Sequence, residues 1–446
     1  MKKLILSVLL IPAVFSAQQT VSRDAEIANY VSQVSADSLK SHINKLVSFG
    51  TRHTMSSTTD AKKGIGAARN WVLSKFKNYA KNTDGRMEVF LQSQTIQPDG
   101  KRINQPTDLG NAIAILRGTD PNDKRIFMIG GHLDSRVSDV MNNKDFAPGA
   151  NDDGSGVGAV IESARVLSHS KFPATIVFVA FSGEEQGLLG AKMLAEKAKN
   201  ENWQLEALLN NDMIGNNLTS ETNLINANQL RVFSEGLPQF DLDKKAQGIR
   251  NLGLENDGEA RQLARYIKEI GERYVDNLEV KLIYRNDRFL RGGDHTSFVN
   301  QGFSAVRLTE FNENYDHQHQ DIRKENGKQF GDLPEFMDFE YFKKNVGVNV
   351  SVLANLAKSP SKPENVKMDV KELTNFTTIH WEKPKNGEVV GYYVLMRETD
   401  SSTWQKKFFT KENSIKLPYS KDNYFFAVQA VNSSGNESLI VIPSVR

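Results

Sequence analysis

Thr175-Ile176-Val177-Phe178-Val179-Ala180-Phe181 runs seven residues without a charge and leads at once into Ser182-Gly183-Glu184-Glu185. A strand with one wet face alternates apolar and polar residues, so an unbroken run of this kind reads as a strand covered on both faces. Two carboxylates then stand side by side at its end. There, desolvation and mutual repulsion are costly unless a cation is present. The competing reading is a solvated acidic first turn of the following helix, which the helix dipole favours.

Outward from this run, strands and helices alternate. Residues 25–79 repeat apolar positions at helical spacing (Leu39, Ile43, Leu46, then Ala68, Trp71, Val72, Phe76) and read as covering helices. Segments 87–91, 111–117, 125–131, 205–213, 278–284 and 304–308 read as strands, and 156–168, 189–199, 260–274 and 341–357 as helices. Residues 217–257 form a long polar insertion, the kind of loop that shapes a pocket. This pattern predicts an α/β chain, a three-layer α/β/α sandwich with a mixed, mostly parallel sheet. Active sites in such sheets gather outside the carboxyl ends of strands.

Ser359-Pro360-Ser361-Lys362-Pro363 is a polar, proline-bearing linker of the kind that separates domains. Beyond it the period changes to two, as in Thr378-Ile379-His380-Trp381, Tyr392-Tyr393-Val394-Leu395 and Tyr424-Phe425-Phe426-Ala427-Val428, which predicts a small all-β sandwich domain. With Trp381 in an early strand and a Gly435-Asn436-Glu437-Ser438 turn, this tail resembles a fibronectin type III module. That resemblance implies a spacer or adhesion module binding a surface or a protein partner, without catalytic groups.

Lys and Arg number 56 against 54 Asp and Glu, so a net charge of +2 without a basic block excludes nucleic acid or an anionic membrane as the main partner. The absence of cysteine excludes disulfides and thiolate metal sites. Lys2 and Lys3, an apolar run over residues 4–14, and small residues Ser16 and Ala17 read as a secretory signal peptide. No segment approaches the roughly 20 apolar residues of a spanning helix. The expectation is a protein that does not span the membrane, secreted or periplasmic, with residues 1–17 as signal, 18–358 as catalytic domain, 359–363 as linker and 364–446 as the tail module.

Metal-capable groups recur in order along the catalytic segment. Gly130-Gly131-His132-Leu133-Asp134 places an imidazole at a strand end with a carboxylate two residues on, able to orient the ring or its ligated metal. Pro148-Gly149-Ala150-Asn151-Asp152-Asp153-Gly154-Ser155-Gly156 crowds acids into a glycine-rich turn before an apolar helix. A helix cap needs one of them, Asp153 or Ser155, and leaves Asp152 over. Asn211-Asp212-Met213 ends another buried strand, and Asp212 alone also suits an Asx turn. His317-Gln318-His319 puts two imidazoles in a polar loop, of which one need coordinate.

Taken together, these segments resemble the co-catalytic zinc aminopeptidase family, which also includes secreted leucyl aminopeptidases, glutamate carboxypeptidase and glutaminyl cyclase. The resemblance covers residues 39–357. It implies two Zn2+ ions, one on His132 and Asp212 and the other on Glu185 and His319, with Asp152 bridging and Glu184 as general base. It also implies a cis Asp152-Asp153 bond, Asp134 supporting the ligands, and Asp294 and His295 of Gly293-Asp294-His295 supporting the site from outside. The Gln-His form preceding the ligand favours His319 over His317. The implied activity is removal of N-terminal residues from peptides with a free N-terminus. Arg285, Arg288 and Arg291 keep a carboxypeptidase open as an alternative. A glutaminyl cyclase, commonly a one-zinc enzyme, and a non-catalytic binding protein fit the full ligand set less well.

Overall fold

The computed structural model describes residues 22–237 and 239–445, so the expected signal peptide at 1–17 lies outside the described residues. Helices α1 (Ala25–Ser32), α2 (Ala36–Val47) and α3 (Gly64–Ala80) precede strands β1 (Met87–Ile96), β2 (Thr107–Leu116) and β3 (Arg125–His132). Next come α4 (Gly154–Leu167), β4 (Thr175–Phe181), α5 (Leu189–Asn200), β5 (Gln204–Asn211), β6 (Gln229–Phe233), α6 (Gln239–Leu252) and α7 (Glu259–Tyr274). Strand β7 (Glu279–Ile283), helix α8 (Asp294–Val299), strand β8 (Ala305–Glu310), the hairpin β9 (Arg323–Glu325) and β10 (Lys328–Phe330), and helix α9 (Phe339–Lys358) complete this part.

The eight large strands form one sheet in the order β1-β2-β4-β3-β5-β8-β6-β7. Its middle, β4-β3-β5-β8, is parallel, with antiparallel pairing at β1-β2, β2-β4 and β6-β8. Side chains of β4 alternate between two covered faces. Ile176, Phe178 and Ala180 pack in a cluster with residues of α4, α7 and α9, whereas Val177, Val179 and Phe181 pack with α5 and α8. Burial of each such Val or Phe contributes roughly 1.5–3 kcal/mol, and the unbroken apolar run follows from having no wet face.

Two expectations change. Strand β1 continues past the expected 87–91 to Ile96, pairing with β2 from Met87↔Leu116 to Ile96↔Thr107. It is an edge strand, and its polar half meets solvent. The insertion at 217–257 contains β6, held antiparallel to β8 and parallel to β7, and helix α6.

The C-terminal strands are β11 (Glu364–Met368), β12 (Thr377–Glu382), β13 (Gly391–Glu398), β14 (Lys406–Thr410), β15 (Ser414–Leu417), β16 (Tyr424–Val431) and β17 (Ser444–Val445). They make a sheet β15-β12-β11-β17 and a sheet β14-β13-β16. Between them Trp381 meets Tyr392 edge-on, ring centroids 5.3 Å apart. The segment joining the two parts is pinned rather than free. Arg125 donates to the main-chain oxygens of Ser359 at 2.8 Å and Pro360 at 3.0 Å. Among the described residues, no helix is long and apolar enough to cross a membrane.

Candidate metal centre

The carboxyl ends of the parallel strands carry the site. His132 is the last residue of β3, Glu184 and Glu185 follow β4, and Asp212 follows β5. Close approach of backbones makes this possible. A Cβ on Gly131 would lie 2.5 Å from the main chain of Gly156, so glycine there lets the start of α4 settle on β3. Asp153 is the cap of α4, accepting from Gly156 N–H at 2.7 Å, and its other oxygen accepts from His132 N–H at 2.8 Å. The peptide bond between Asp152 and Asp153 is cis.

Asp152, left free of capping, stands at the centre. Its Oδ1 lies 3.1 Å from Nε2 of His132, and its Oδ2 lies 3.0 Å from Nε2 of His319. His132 Nε2 is also 4.0 Å from Asp212 Oδ1, and His319 Nε2 is 2.9 Å from Glu185 Oε1. The five groups thus form two triads, His132-Asp152-Asp212 and Asp152-Glu185-His319, with the donor atoms of each within 4.8 Å of one another. Nitrogen and oxygen donors in this mix suit zinc. Three carboxylates buried together around two imidazoles fit a bound cation. His319 takes a left-handed backbone (φ 54°), a conformation uncommon outside glycine. Burial alone would lower its pKa, but Glu185 and Asp152 raise it to about 10.

His317 is elsewhere. Its ring stacks on Phe336 at 3.7 Å, and burial lowers its pKa to about 4. Glu184 faces the same cleft, a cavity of about 260 Å³, and desolvation pushes its carboxyl well above the usual range.

The supporting residues differ from expectation in how they act. The main-chain oxygen of Asp134, rather than its carboxylate, takes Nδ1 of His132 at 3.0 Å. The carboxylate instead accepts N–H groups of Gly183 (2.8 Å), Glu184 (3.2 Å) and Glu185 (3.0 Å), and so fixes the turn carrying both glutamates. Asp294 is buried, yet neither of its oxygens has a hydrogen-bond partner, so the support expected of it is not made by a direct bond. His295 bonds the main-chain oxygen of Asn286 at 2.8 Å.

Several residues escaped the sequence reading. Asp332 accepts N–H groups of Asn151 (2.9 Å) and Asp152 (2.7 Å), holding the central turn, and nothing local marks it. Arg52, fully buried, donates to the oxygens of Leu133, Pro148 and Gly149. Arg307 lies 3.0 Å from Asp212 Oδ1. A lone cation inside the apolar strand β8 was a visible signal for it. The cleft is also lined by Arg102, Arg136, Arg288 and Arg291.

Residues 111–333 match the model of peptidase family M28. A probable zinc metalloprotease of Leptosphaeria maculans is 42% identical over 421 residues, covering 94% of this chain and 97% of that protein. Among solved structures, the LapA aminopeptidase of Legionella pneumophila superposes with a TM-score of 0.53 at 19% identity, over 76% of each chain. A Zn-dependent exopeptidase from Parabacteroides distasonis gives 0.50 at 19% identity, over 72% of this chain and 99% of that one. At such identities the structural matches establish the shared fold alone.

Proposed function

The chain belongs to peptidase family M28, and from that premise we propose that it is a two-zinc exopeptidase removing N-terminal residues from peptides. One observation carries the reading: the two oxygens of Asp152 each face a different imidazole, with a second carboxylate beside each. His132 and Asp212 would hold one zinc, Glu185 and His319 the other, and Asp152 both. The zinc name of the Leptosphaeria maculans relative supports the metal. When bound, a pair of zinc ions supplies Lewis acidity and lowers the pKa of a coordinated water.

The chain's own groups do the rest. Glu184, at the cleft, takes the proton of the attacking water and returns it to the leaving amine. Asp134 holds the Glu184 and Glu185 amides, so base and ligand keep their places while the proton moves. Adjacent residues point apart, which lets one glutamate bind metal while its neighbour faces substrate.

A second reading, cleavage at the C-terminus, is favoured by the four arginines of the cleft, since guanidinium forks bind carboxylates. Three of them are already engaged: Arg102 on the oxygen of Glu185, Arg136 on those of Val137 and Ser138, Arg288 on Glu313. A panel of aminoacyl chromogenic substrates, run beside N-blocked peptides with free C-termini, with zinc counted and with chelator added, decides between them. Cleavage of the free N-terminal substrates alone, abolished by chelator, is expected. The opposite pattern would establish the C-terminal reading. Export through residues 1–17 belongs to the same proposal, and the secreted fraction should yield a mature chain starting near Ala17 or Gln18. The C-terminal sheets, with their resemblance to a fibronectin type III module, are proposed as the part that meets a surface or protein partner.

A further inference from the structure

Asp212 has a second employment. Behind it lies a buried network in which Arg231 pairs with Glu313 at 2.6 Å, and Arg288 reaches Glu313 at 2.8 Å and Asp287 at 3.4 Å. Arg307 closes it, with Nη1 3.0 Å from Asp287 and Nη2 3.0 Å from Asp212 Oδ1. Three guanidiniums therefore share two carboxylates, and Asp212 supplies the missing negative charge. The other acids nearby do not balance the count, because burial raises Asp294 to about 8 and holds Glu310 well above the carboxylate range. Arg307 is fully buried, so salt and water screen its charge weakly.

The partner triad is built differently. Glu185 Oε1 lies 2.9 Å from Nε2 of His319, itself a ligand candidate, and the nearest cation that is not one, Arg136, stands 3.8 Å from its Oε2 while its Nε and Nη2 bond Val137 and Ser138. Glu185 therefore pairs with an imidazole that can itself turn to a metal, whereas Asp212 pairs with a guanidinium that cannot. Placing a divalent ion on Asp212 also sets it against a guanidinium in contact with its own ligand.

We infer that Arg307 makes the His132-Asp212 half of the site the weaker one, so that zinc loads first at Glu185 and His319. The inference rests on the two-zinc reading above. Groups just outside the ligands of a metal shift its affinity by about 10- to 100-fold, which is the difference expected between the two halves.

The test uses the full zinc-loaded protein, dialysed against graded dipicolinate, with bound zinc counted by mass spectrometry and thermal unfolding followed in parallel. The wild type should lose zinc in two steps with a plateau at one ion. Asp212→Asn should remove the early step and keep the late one, while His319→Ala should remove the late one. Arg307→Met should tighten the labile ion and merge the steps. If that variant does not fold, the wild-type titration still decides. Release of both ions in a single wild-type step, or a retained ion that depends on Asp212, overturns the inference. A wild type that binds no zinc overturns the two-zinc reading and this inference with it.

Discussion

At the seam between α7 and the C-terminal sheets, the buried carboxylates Asp257 and Glu437 each meet two cations. Asp257 receives Arg265 at 2.7 Å and Arg397 at 2.6 Å, and Glu437 receives Arg273 at 3.1 Å and Lys407 at 2.9 Å. At the carboxyl end of the sheet, Asp152, Glu185 and Asp212 crowd one another around two imidazoles. Both clusters are buried, and the same cost of desolvation applies to both. The seam is neutralised by its own side chains and therefore serves stability. Most of the cleft's charge waits for something outside the chain, and that is the mark of a working site. Arg307, which pairs Asp212, is the point where the two styles meet.

The largest effect should come from the cleft. Asp152→Asn should abolish hydrolysis and reduce bound zinc, while the chelated protein keeps its stability within about 1 kcal/mol, because one of several crowded charges has gone. Calorimetry of the chelated variant beside metal counting checks this. A large loss of stability would mean that the cleft is structural like the seam.

The seam should respond in the opposite way. Asp257→Asn strands two buried guanidiniums and should cost about 3–5 kcal/mol while leaving zinc content unchanged. Denaturant unfolding with metal analysis measures both. An unchanged stability would erase the contrast.

A smaller effect concerns pH. Burial pushes Glu437 up, but Lys407 and Arg273 more than offset it, so its folded pKa lies below the ordinary 4.5. A depressed carboxylate contributes fully above its unfolded value and is lost as pH falls through the folded one, so this contribution disappears below about 4.5. Glu437→Gln should lower stability near neutrality by about 2 kcal/mol and flatten the acid limb of the stability curve. An acid limb as steep as that of the wild type would assign it to other groups.

The two regions also differed in how far they could be read from sequence. Strand β4 was legible with its bounds because both faces are apolar, and His132, Glu184, Glu185 and Asp212 were legible because each closes such a run, whereas Asp152 and His319 sit in turns. The choice of His319 over His317 came from resemblance, and its physical reason, the stacking of His317 on Phe336, is a tertiary contact. Asp332 lies 180 residues from the Asp152 amide it holds, and no local pattern could announce it. The seam was invisible for the same cause. Asp257 and Arg397 sit in segments that read as a polar insertion and a separate module, and their pairing spans 140 residues.

The account stands on Glu184 as the proton carrier beside a two-zinc pair, and Glu184→Gln tests it most directly, with turnover and bound zinc measured on the same sample. The account predicts two zinc ions retained and turnover lowered by about 10²–10⁴-fold. A variant that hydrolyses peptides at close to the wild-type rate would contradict it.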